Sequence, residues 1–228
     1  MQPIITGLIL SGGQGTRMGR LNKGLHPFGK TTLIEHVIDR LKNQVDRIVI
    51  NANKDIERYR AIGYPVWPDN NLSRGPLSGF LTGLENCTSP YLMIVPCDTP
   101  MLPTGIVQQL MKQLQETHTD LCMPSSTPLA KGPQVEPWSL DTQGLRPEAF
   151  RVQPTFCLLK KSLAPSLREF LNAGGTKVQA WAGQQKCSYL YYETATRGTD
   201  AFLNLNTIQE LKACEQDLFF AGNSSALE

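Results

Sequence analysis

The sequence predicts an α/β fold in which helices cover both faces of a mostly parallel, twisted sheet. Three observations support this fold class. Apolar runs of strand length alternate with helical periodicity along most of the 228 residues. A glycine-rich loop directly follows the first apolar run, and the most apolar run, Tyr91–Val95, is typical of a central parallel strand. Alternation of this kind builds parallel sheets with helical connections.

The first half of the chain alternates between strand and helix patterns. Ile4–Leu10 predicts the first strand, and a capping-box pattern at Thr32–Glu35 begins a helix that extends to Leu41. The next predicted elements are a strand at Arg47–Asn51, a helix at about 54–61, a strand at 64–67 and a helix starting at Gly75-Pro76-Leu77.

The second half continues this alternation with one long interruption. The predicted elements are a helix from Ile106 to Leu114, strands near 120–123, 155–160, 187–192 and 202–205, and helices near 162–172 and 207–219. Residues 124–152 contain five prolines and no periodicity, which predicts a mobile loop. We expect residues 1–220 to form a single domain and residues 221–228 a flexible tail.

Composition and charge exclude several classes of protein. Hydrophobic residues make up 40% and charged residues 18% of the chain, so a substantial core can form. The net charge of +2 gives no basic stripe for nucleic acid, and the apolar runs are too short to span a membrane. The six cysteines form no CxxC pair, and the N-terminus shows no signal-peptide pattern. We therefore expect a cytoplasmic protein with reduced, buried thiols and with neither nucleic acid nor membrane as partner.

The glycine loop after the first strand is the most informative motif. It reads Leu10-Ser11-Gly12-Gly13-Gln14-Gly15-Thr16-Arg17-Met18-Gly19, and Lys23 follows four residues later. Glycine lets backbone N–H groups approach a phosphate because no Cβ intervenes. The alternative is an ordinary strand-to-helix turn, but four glycines and two cations, Arg17 and Lys23, exceed what a turn needs. The loop therefore predicts binding of a nucleoside triphosphate.

Two other glycine motifs fit the sequence less well. A dinucleotide GxGxxG motif starting at Gly13 would require glycine at Met18, and the second strand ends in Asn51 rather than an acidic residue. The segment Gly24–Thr31 matches GxxxxGK[ST], but polar residues precede it where a phosphate loop needs a strand. We expect Gly29-Lys30 to form a turn that leads into the first helix.

Polar residues follow three of the predicted strands, where open α/β sheets bind ligands. Asp98 follows the central strand and can hold Mg²⁺ on triphosphate oxygens; the alternative is a cap for the helix after Pro103. Asp69 and Asn51 could contact a base or ribose, or could form turns. The helix start at Gly75 could offer N–H donors to a ligand, or could simply pack closely.

The ordered set of motifs resembles the signature of the molybdenum cofactor guanylyltransferases. The resemblance covers most of the chain except residues 124–152. The motifs that carry it are Leu10-Ser11-Gly12-Gly13-x-x-x-Arg17-Met18-Gly19-x-x-x-Lys23-Gly24-Leu25, Val49-Ile50-Asn51-Ala52-Asn53, Asp69, Gly75-Pro76-Leu77-x-Gly79, Pro96-Cys97-Asp98-Thr99-Pro100 and Asn204-Leu205-Asn206-Thr207.

The resemblance implies a Rossmann-like nucleotidyltransferase fold and a defined reaction. GMP would pass from GTP to the terminal phosphate of Mo-molybdopterin, giving molybdopterin guanine dinucleotide and pyrophosphate, with Mg²⁺ as cofactor. The N-terminal part, about 1–115, would bind the nucleotide, and the C-terminal part would bind the pterin. Molybdoenzyme chaperones and other cofactor-biosynthesis proteins are the implied protein partners.

The resemblance also implies a role for each matching residue. Lys23 would hold the phosphates with the support of Arg17, and Asp98 would contact both the nucleotide and Mg²⁺, so these three are the candidate catalytic residues. The other candidate binding residues are Leu10, Ser11, Gly12 and Gly13 at the nucleotide, Asn51 and Asp69 at the nucleoside, and Asn204 and Asn206 on the pterin side. No general base is needed, because the attacking phosphate is already an anion and the chemistry asks mainly for alignment and charge neutralisation.

This chain departs from the family pattern at several positions. Arg20 stands where many relatives carry a second glycine, Asn22 where aspartate is common, and Gln153 where histidine is frequent. Gly12 favours guanine, because cytidylyl-transferring relatives tend to carry alanine there. The alternative functions are a molybdopterin cytidylyltransferase, another nucleotidyltransferase, and a non-catalytic GTP-binding carrier of the cofactor.

Overall fold

A seven-stranded sheet forms the centre of the computed structural model, which describes residues 3–12, 22–70, 75–125, 152–192, 202, 204–205 and 207–220. The strands are β1 (Ile5–Leu10), β2 (Pro27–Phe28), β3 (Thr31–Thr32), β4 (Arg47–Asn51), β5 (Val66–Trp67), β6 (Tyr91–Pro96), β7 (Leu121–Ser125), β8 (Cys157–Lys160) and β9 (Cys187–Tyr191). The helices are α1 (Leu33–Leu41), α2 (Ile56–Arg60), α3 (Pro76–Asn86), α4 (Ile106–Glu116), α5 (Ala164–Asn172), α6 (Val178–Ala182) and α7 (Ile208–Phe220), with short 3-10 helices at Lys23–Leu25 and Lys161–Leu163.

The central sheet is mostly parallel, as the sequence predicts. Its spatial order is β5-β4-β1-β6-β8-β7-β9, and β2 pairs with β3 in a separate hairpin. Strand β8 is antiparallel to both of its neighbours, and the other pairs in the sheet are parallel. In register, the last residue of β1, Leu10, lies opposite Asn51 of β4 and Pro96 of β6. The residues that follow these three strands therefore emerge side by side.

Helices cover both faces of the sheet because consecutive strand residues, which point to opposite faces, are apolar. On one face α1 and α4 pack over residues such as Ile9, Ile50 and Val95. On the other face α3, α5 and α6 pack over Leu8 and Ile94. This two-sided burial confirms the predicted fold class and leaves the strand ends as the open edge for ligands.

The two predicted helix starts next to the glycine loop and the sheet edge are confirmed. The backbone N–H of Thr32 donates to Glu35 Oε2 at 2.8 Å, which forms the capping box at the start of α1. Helix α3 begins at Pro76, and Gly75 precedes it with a φ of 66° that favours glycine.

The predicted strand near 202–205 is wrong for the residues that the structure describes there. Phe202 lies in a turn, and Asn204 and Leu205 have no regular structure. Phe202 packs with Phe156 and Tyr192, whereas Leu205 belongs to a separate cluster with α7. The two apolar residues are therefore buried in different places and not by pairing in a sheet.

The segment between β7 and Val152 starts later and ends earlier than the predicted loop at 124–152. Strand β7 continues through Ser125, and Val152 forms an antiparallel bridge with Ser125. Residues 126–151 and the predicted tail at 221–228 lie outside the described residues. Helix α6 was not predicted, because its five residues are too few to show a helical period.

The cysteines are mostly buried, and the helices are short. All six cysteines are free thiols, and five of them are buried. Across the described part of the chain, none of the helices combines the length and apolar character that crossing a membrane requires.

We expect Trp181→Ala to lower the free energy of unfolding by about 3–5 kcal/mol. Trp181 is fully buried, and its ring meets that of Phe80 edge-on at 6.5 Å between centroids. Urea denaturation followed by circular dichroism measures the change. The control is Trp67→Ala, which removes a partly exposed indole and should cost less; equal losses would show that burial of Trp181 is not what stabilises this face.

Candidate active site

Two backbone hydrogen bonds, each donated by the residue that directly follows a strand, join the ends of β1, β4 and β6. The N–H of Ser11 donates to the carbonyl oxygen of Asn51 at 2.8 Å, and the N–H of Cys97 donates to that of Leu10 at 3.1 Å. These bonds bring Leu10, Ser11, Asn51 and the neighbouring Asp98 to one edge. Five of the predicted site residues, with Gly12 as the fifth, therefore lie together at the carboxyl ends of parallel strands.

Lys23 and Asp98 form an ion pair across this edge. Lys23 Nζ contacts Asp98 Oδ2, and the two side chains are only 19% and 10% exposed. The other carboxylate oxygen, Asp98 Oδ1, is buried and accepts no hydrogen bond within the described parts of the chain. Because little water reaches the pair, its charges are weakly screened. Among the described residues, this edge thus combines the Lys23 ammonium with an Asp98 oxygen that accepts no hydrogen bond.

Asp98 does not cap the following helix, which was its alternative role. Helix α4 is preceded by Gly105, whose φ of 81° suits glycine, and Gly105 is the residue at the N-cap position. The carboxylate of Asp98 faces Lys23 instead. The Asp98 carboxylate therefore does not cap the N-terminus of α4.

Asp69 bridges two asparagines at the end of β4. Its Oδ1 accepts from Asn51 Nδ2 and its Oδ2 from Asn53 Nδ2, both at 2.7 Å. Its own backbone N–H donates to Asn53 Oδ1 at 2.7 Å. Asp69 is thus tied by one bond to Asn51 at the end of β4 and by two bonds to Asn53 just beyond it, and it is not an isolated turn residue.

The bonds to Asp69 determine how the Asn51 amide is oriented. Asn51 Nδ2 also donates to the carbonyl oxygen of Trp67 at 2.9 Å, so both of its N–H groups are used. The side chain is almost completely buried, and its Oδ1 is directed toward Gly79 and Gly12. Sequence reasoning gave Asn53 no role, although its spacing of two residues from Asn51 could have placed both on the same side of the extended chain.

Two glycines line this part of the edge with different steric demands. A Cβ at Gly79 would overlap Asn51 Oδ1 and would lie 2.6 Å from Leu10 Cδ2. A Cβ at Gly12 would lie 3.5 Å from Asn53 Nδ2 and 3.8 Å from Asn51 Oδ1, which are ordinary contact distances. Helix α3 therefore needs glycine at 79 for its close approach, whereas position 12 has room for a methyl group.

Buried neutral groups lie beneath the turn that carries Lys23. A Cβ at Gly24 would come within 3.1 Å of Tyr59 Oη and 3.3 Å of Cys97 Sγ. Burial, reinforced by the Asp98 carboxylate, raises the pKa of the Cys97 thiol to about 12. Burial also raises the pKa of the Tyr59 phenol well above its ordinary value. Burial therefore favours the protonated thiol of Cys97, which is the less nucleophilic form.

The C-terminal motif reaches the same edge through a backbone contact. The N–H of Leu205 donates to the carbonyl oxygen of Asp98 at 3.1 Å, which places the preceding Asn204 beside the site. Leu205 packs with Phe28, Leu211 and other residues of the cluster beneath α7. The remaining predicted site residues lie outside the described residues: Gly13, Arg17 and Asn206.

The segment Gly24–Thr31 is not a phosphate loop, in agreement with the sequence prediction. It passes from the 3-10 helix into the β2–β3 hairpin, and Gly29-Lys30 forms the turn of that hairpin. The N–H of Gly29 donates to Glu215 Oε1 at 2.6 Å, so this turn faces α7.

We expect Gly79→Ala to lower the free energy of unfolding by about 1–2 kcal/mol. Overpacking against Asn51, whose amide is held by two hydrogen bonds, costs up to about 3 kcal/mol, and alanine in a helix returns at most about 1 kcal/mol. Chemical denaturation measures the change. Gly12→Ala is the matched control and should stay within about 0.5 kcal/mol of the wild type; an unchanged Gly79→Ala variant would contradict the close approach.

Comparison with known proteins identifies the family of this chain. The family described as the MobA-like NTP transferase domain matches residues 7–187. A molybdenum cofactor guanylyltransferase of Acidovorax sp. (strain JS42) is 40% identical over 212 residues, which cover 92% of this chain and 95% of that protein. The protein of the same name from Albidiferax ferrireducens is 41% identical over 216 residues, covering 93% and 96% of the two chains.

A solved structure shows the same fold at low sequence identity. The molybdopterin-guanine dinucleotide biosynthesis protein A from Archaeoglobus fulgidus superimposes with a TM-score of 0.69 and 18% identity, covering 92% of this chain and 97% of the other. The family match spans most of the chain, and the relatives match it over nearly their whole length. With the strand-end site described above, these matches show that the chain is a nucleotidyltransferase of the MobA-like NTP transferase family.

Proposed function

We propose that this protein transfers GMP from GTP to the phosphate of Mo-molybdopterin, with formation of molybdopterin guanine dinucleotide and pyrophosphate. The observation that carries the proposal is the buried Lys23–Asp98 pair at the shared end of β1 and β6. Relatives about 40% identical over nearly the whole chain bear the name molybdenum cofactor guanylyltransferase. We assign the nucleotide to the part before about residue 115, and the pterin to the part after it.

The reaction makes limited demands on the protein side chains. An oxygen of the molybdopterin phosphate bonds to the α-phosphorus of GTP, and the bond from that phosphorus to the bridging oxygen of the β-phosphate breaks. The attacking oxygen carries no proton to remove, so no general base is required. Lys23 neutralises charge where the two anions meet, and the rigid strand ends hold the reacting groups in line.

The residues present at this edge fit Mg²⁺. Asp98 Oδ1 is buried and without a hydrogen bond from the described residues, and a hard cation prefers such an oxygen. In the described parts of the chain there is no group of three or more histidine, cysteine, aspartate or glutamate side chains that could hold a metal ion. When bound, Mg²⁺ would neutralise charge on the triphosphate and the leaving pyrophosphate. Asp98 is the side chain that would hold it.

The nucleoside is assigned to the edge formed by Gly12, Asn51 and Asp69. One N–H of the Asn51 amide donates to Asp69, and the other donates to the carbonyl oxygen of Trp67. Asn51 therefore offers a ligand only its Oδ1, which is an acceptor. Guanine carries N–H donors on its Watson–Crick edge that match such an acceptor. Asp69 thus supports guanine binding by orienting Asn51.

We expect Lys23→Ala and Asp98→Asn each to lower kcat by at least about 100-fold, because each removes charge stabilisation at the transferred phosphate. Pyrophosphate release from Mg·GTP in the presence of molybdopterin measures the effect, with circular dichroism as the folding check. Lys42→Ala, which breaks an exposed pair with Asp39, is the matched control and should leave kcat unchanged. A wild type that binds GTP without releasing pyrophosphate would favour the carrier alternative.

We expect Gly12→Ala to shift the preference from GTP toward CTP by about tenfold in relative kcat/KM. The added methyl group would lie against the amides of Asn51 and Asn53 and would narrow the space for a purine. Competition between the two nucleotides in one assay measures the ratio. Equal losses with GTP and CTP would contradict the placement of the base at Gly12.

A further inference from the structure

We infer that Asn22 and Asp55 form a latch that positions Lys23 at the candidate active site. Asn22 directly precedes Lys23, and its Nδ2 donates a hydrogen bond to Asp55 Oδ2. Asp55 precedes helix α2, which is distant from Lys23 in sequence. This Asn22–Asp55 latch therefore attaches the turn that carries Lys23 to a different element of the fold.

The latch acts on a turn whose geometry depends on Asn22. The carbonyl oxygen of Asn22 accepts from the N–H of Leu25 at 2.9 Å, and that of Lys23 accepts from the N–H of His26 at 3.2 Å. Asn22 occupies the N-cap position of this 3-10 turn, but its side chain makes no capping bond there. The buried amide is committed to Asp55 instead, so the start of the turn is held from outside.

A second contact from α2 lies on the other side of Lys23. The hydroxyl oxygen of Tyr59 is 3.1 Å from the position that a Cβ of Gly24 would occupy. Tyr59 is fully buried, so helix α2 cannot slide along the turn without losing this packing. The turn is therefore held at positions 22 and 24, and Lys23 between them extends to Asp98.

The backbone at Asp55 supports a dedicated role for the latch. Asp55 has φ 51° and ψ 32°, a left-handed conformation that costs energy for a residue other than glycine. Aspartate at an N-cap usually accepts a backbone N–H of the first helical turn, but Asp55 makes no such bond. Its carboxylate bonds the buried Asn22 amide instead, so a strained residue gives up its local bond for a tertiary one.

The latch depends on an amide, and not a carboxylate, at position 22. A carboxylate there would be buried and would face the carboxylate of Asp55 at hydrogen-bond distance. Both burial and like charge oppose ionisation of such a pair. The amide of Asn22 supplies the donor that Asp55 needs, so the two positions form a matched pair.

Four variants test the latch: Asp55→Ala, Asp55→Asn, Asn22→Asp and the double variant Asn22→Asp/Asp55→Asn. Asp55→Ala removes the acceptor, and Asn22→Asp opposes two carboxylates. Asp55→Asn keeps a carbonyl acceptor, and the double variant restores a donor and an acceptor in reversed order. Glu57→Ala is the matched control, because Glu57 is an exposed neighbour on α2 that pairs with Arg60.

Hydrogen exchange at the amides of Leu25 and His26 is the first readout, and it needs no substrate. In Asp55→Ala and Asn22→Asp we expect exchange to be about tenfold faster, because the side-chain hydrogen bond between positions 22 and 55 no longer holds the turn. Asp55→Asn, the double variant and Glu57→Ala should stay close to the wild type. Unchanged exchange in Asp55→Ala, or no rescue in a folded double variant, would overturn the latch.

Guanylyl transfer is the second readout, and only here does the inference rest on the proposed function. We expect kcat/KM to fall about tenfold in the two disrupting variants and to recover in the double variant. Faster exchange with unchanged kinetics would reduce the latch to a structural contact and overturn its positioning role. A wild type without guanylyl transfer would overturn the proposed function, whereas the exchange experiment would still decide on the latch.

Discussion

The in-register parallel pairing of β1 with β4 and β6 is the constraint on which the candidate site depends. Because Leu10 lies opposite both Asn51 and Pro96, three chain segments leave the sheet at the same level. A shift of one residue in either pair would turn the strand-end side chains to the other face. Apolar burial on both faces of the sheet specifies the register, so the core positions the polar edge.

The Lys23–Asp98 pair differs from an ion pair that only stabilises the fold. Both groups are largely buried, and removing charges from water costs about as much as their attraction returns. The pair is therefore not explained by stability alone. Its geometry instead holds the Lys23 ammonium at the strand ends and leaves one carboxylate oxygen without a hydrogen bond from the described residues. The proposed binding of a triphosphate would use charges that are already in position before the ligand arrives.

Much of this arrangement could be predicted from the sequence, and the remainder depends on contacts between distant segments. The apolar runs of β1, β4 and β6 and the capping box of α1 are local signals, and the strand-end rule then placed Asn51 and Asp98. The bonds of Asp69 to Asn53 and of Asn22 to Asp55 join residues 16 and 33 positions apart. Local periodicity carries no information on such pairs, and four residues at 202–205 were too few to distinguish a strand from a buried turn.

Asp98 links the two halves of the proposed site through different atoms of the same residue. Its side chain meets Lys23 on the nucleotide side, whereas its carbonyl oxygen accepts from Leu205 of the C-terminal motif. Leu205 in turn packs with Phe28 of the hairpin that follows the Lys23 turn. The start of the turn is thus held by Asp55 next to α2, and the hairpin that follows the turn packs on the cluster that includes α7. A displacement of Asp98 would therefore disturb both the Lys23 contact and the C-terminal motif, and the proposed reaction, which aligns two anions at one phosphorus, would depend on both.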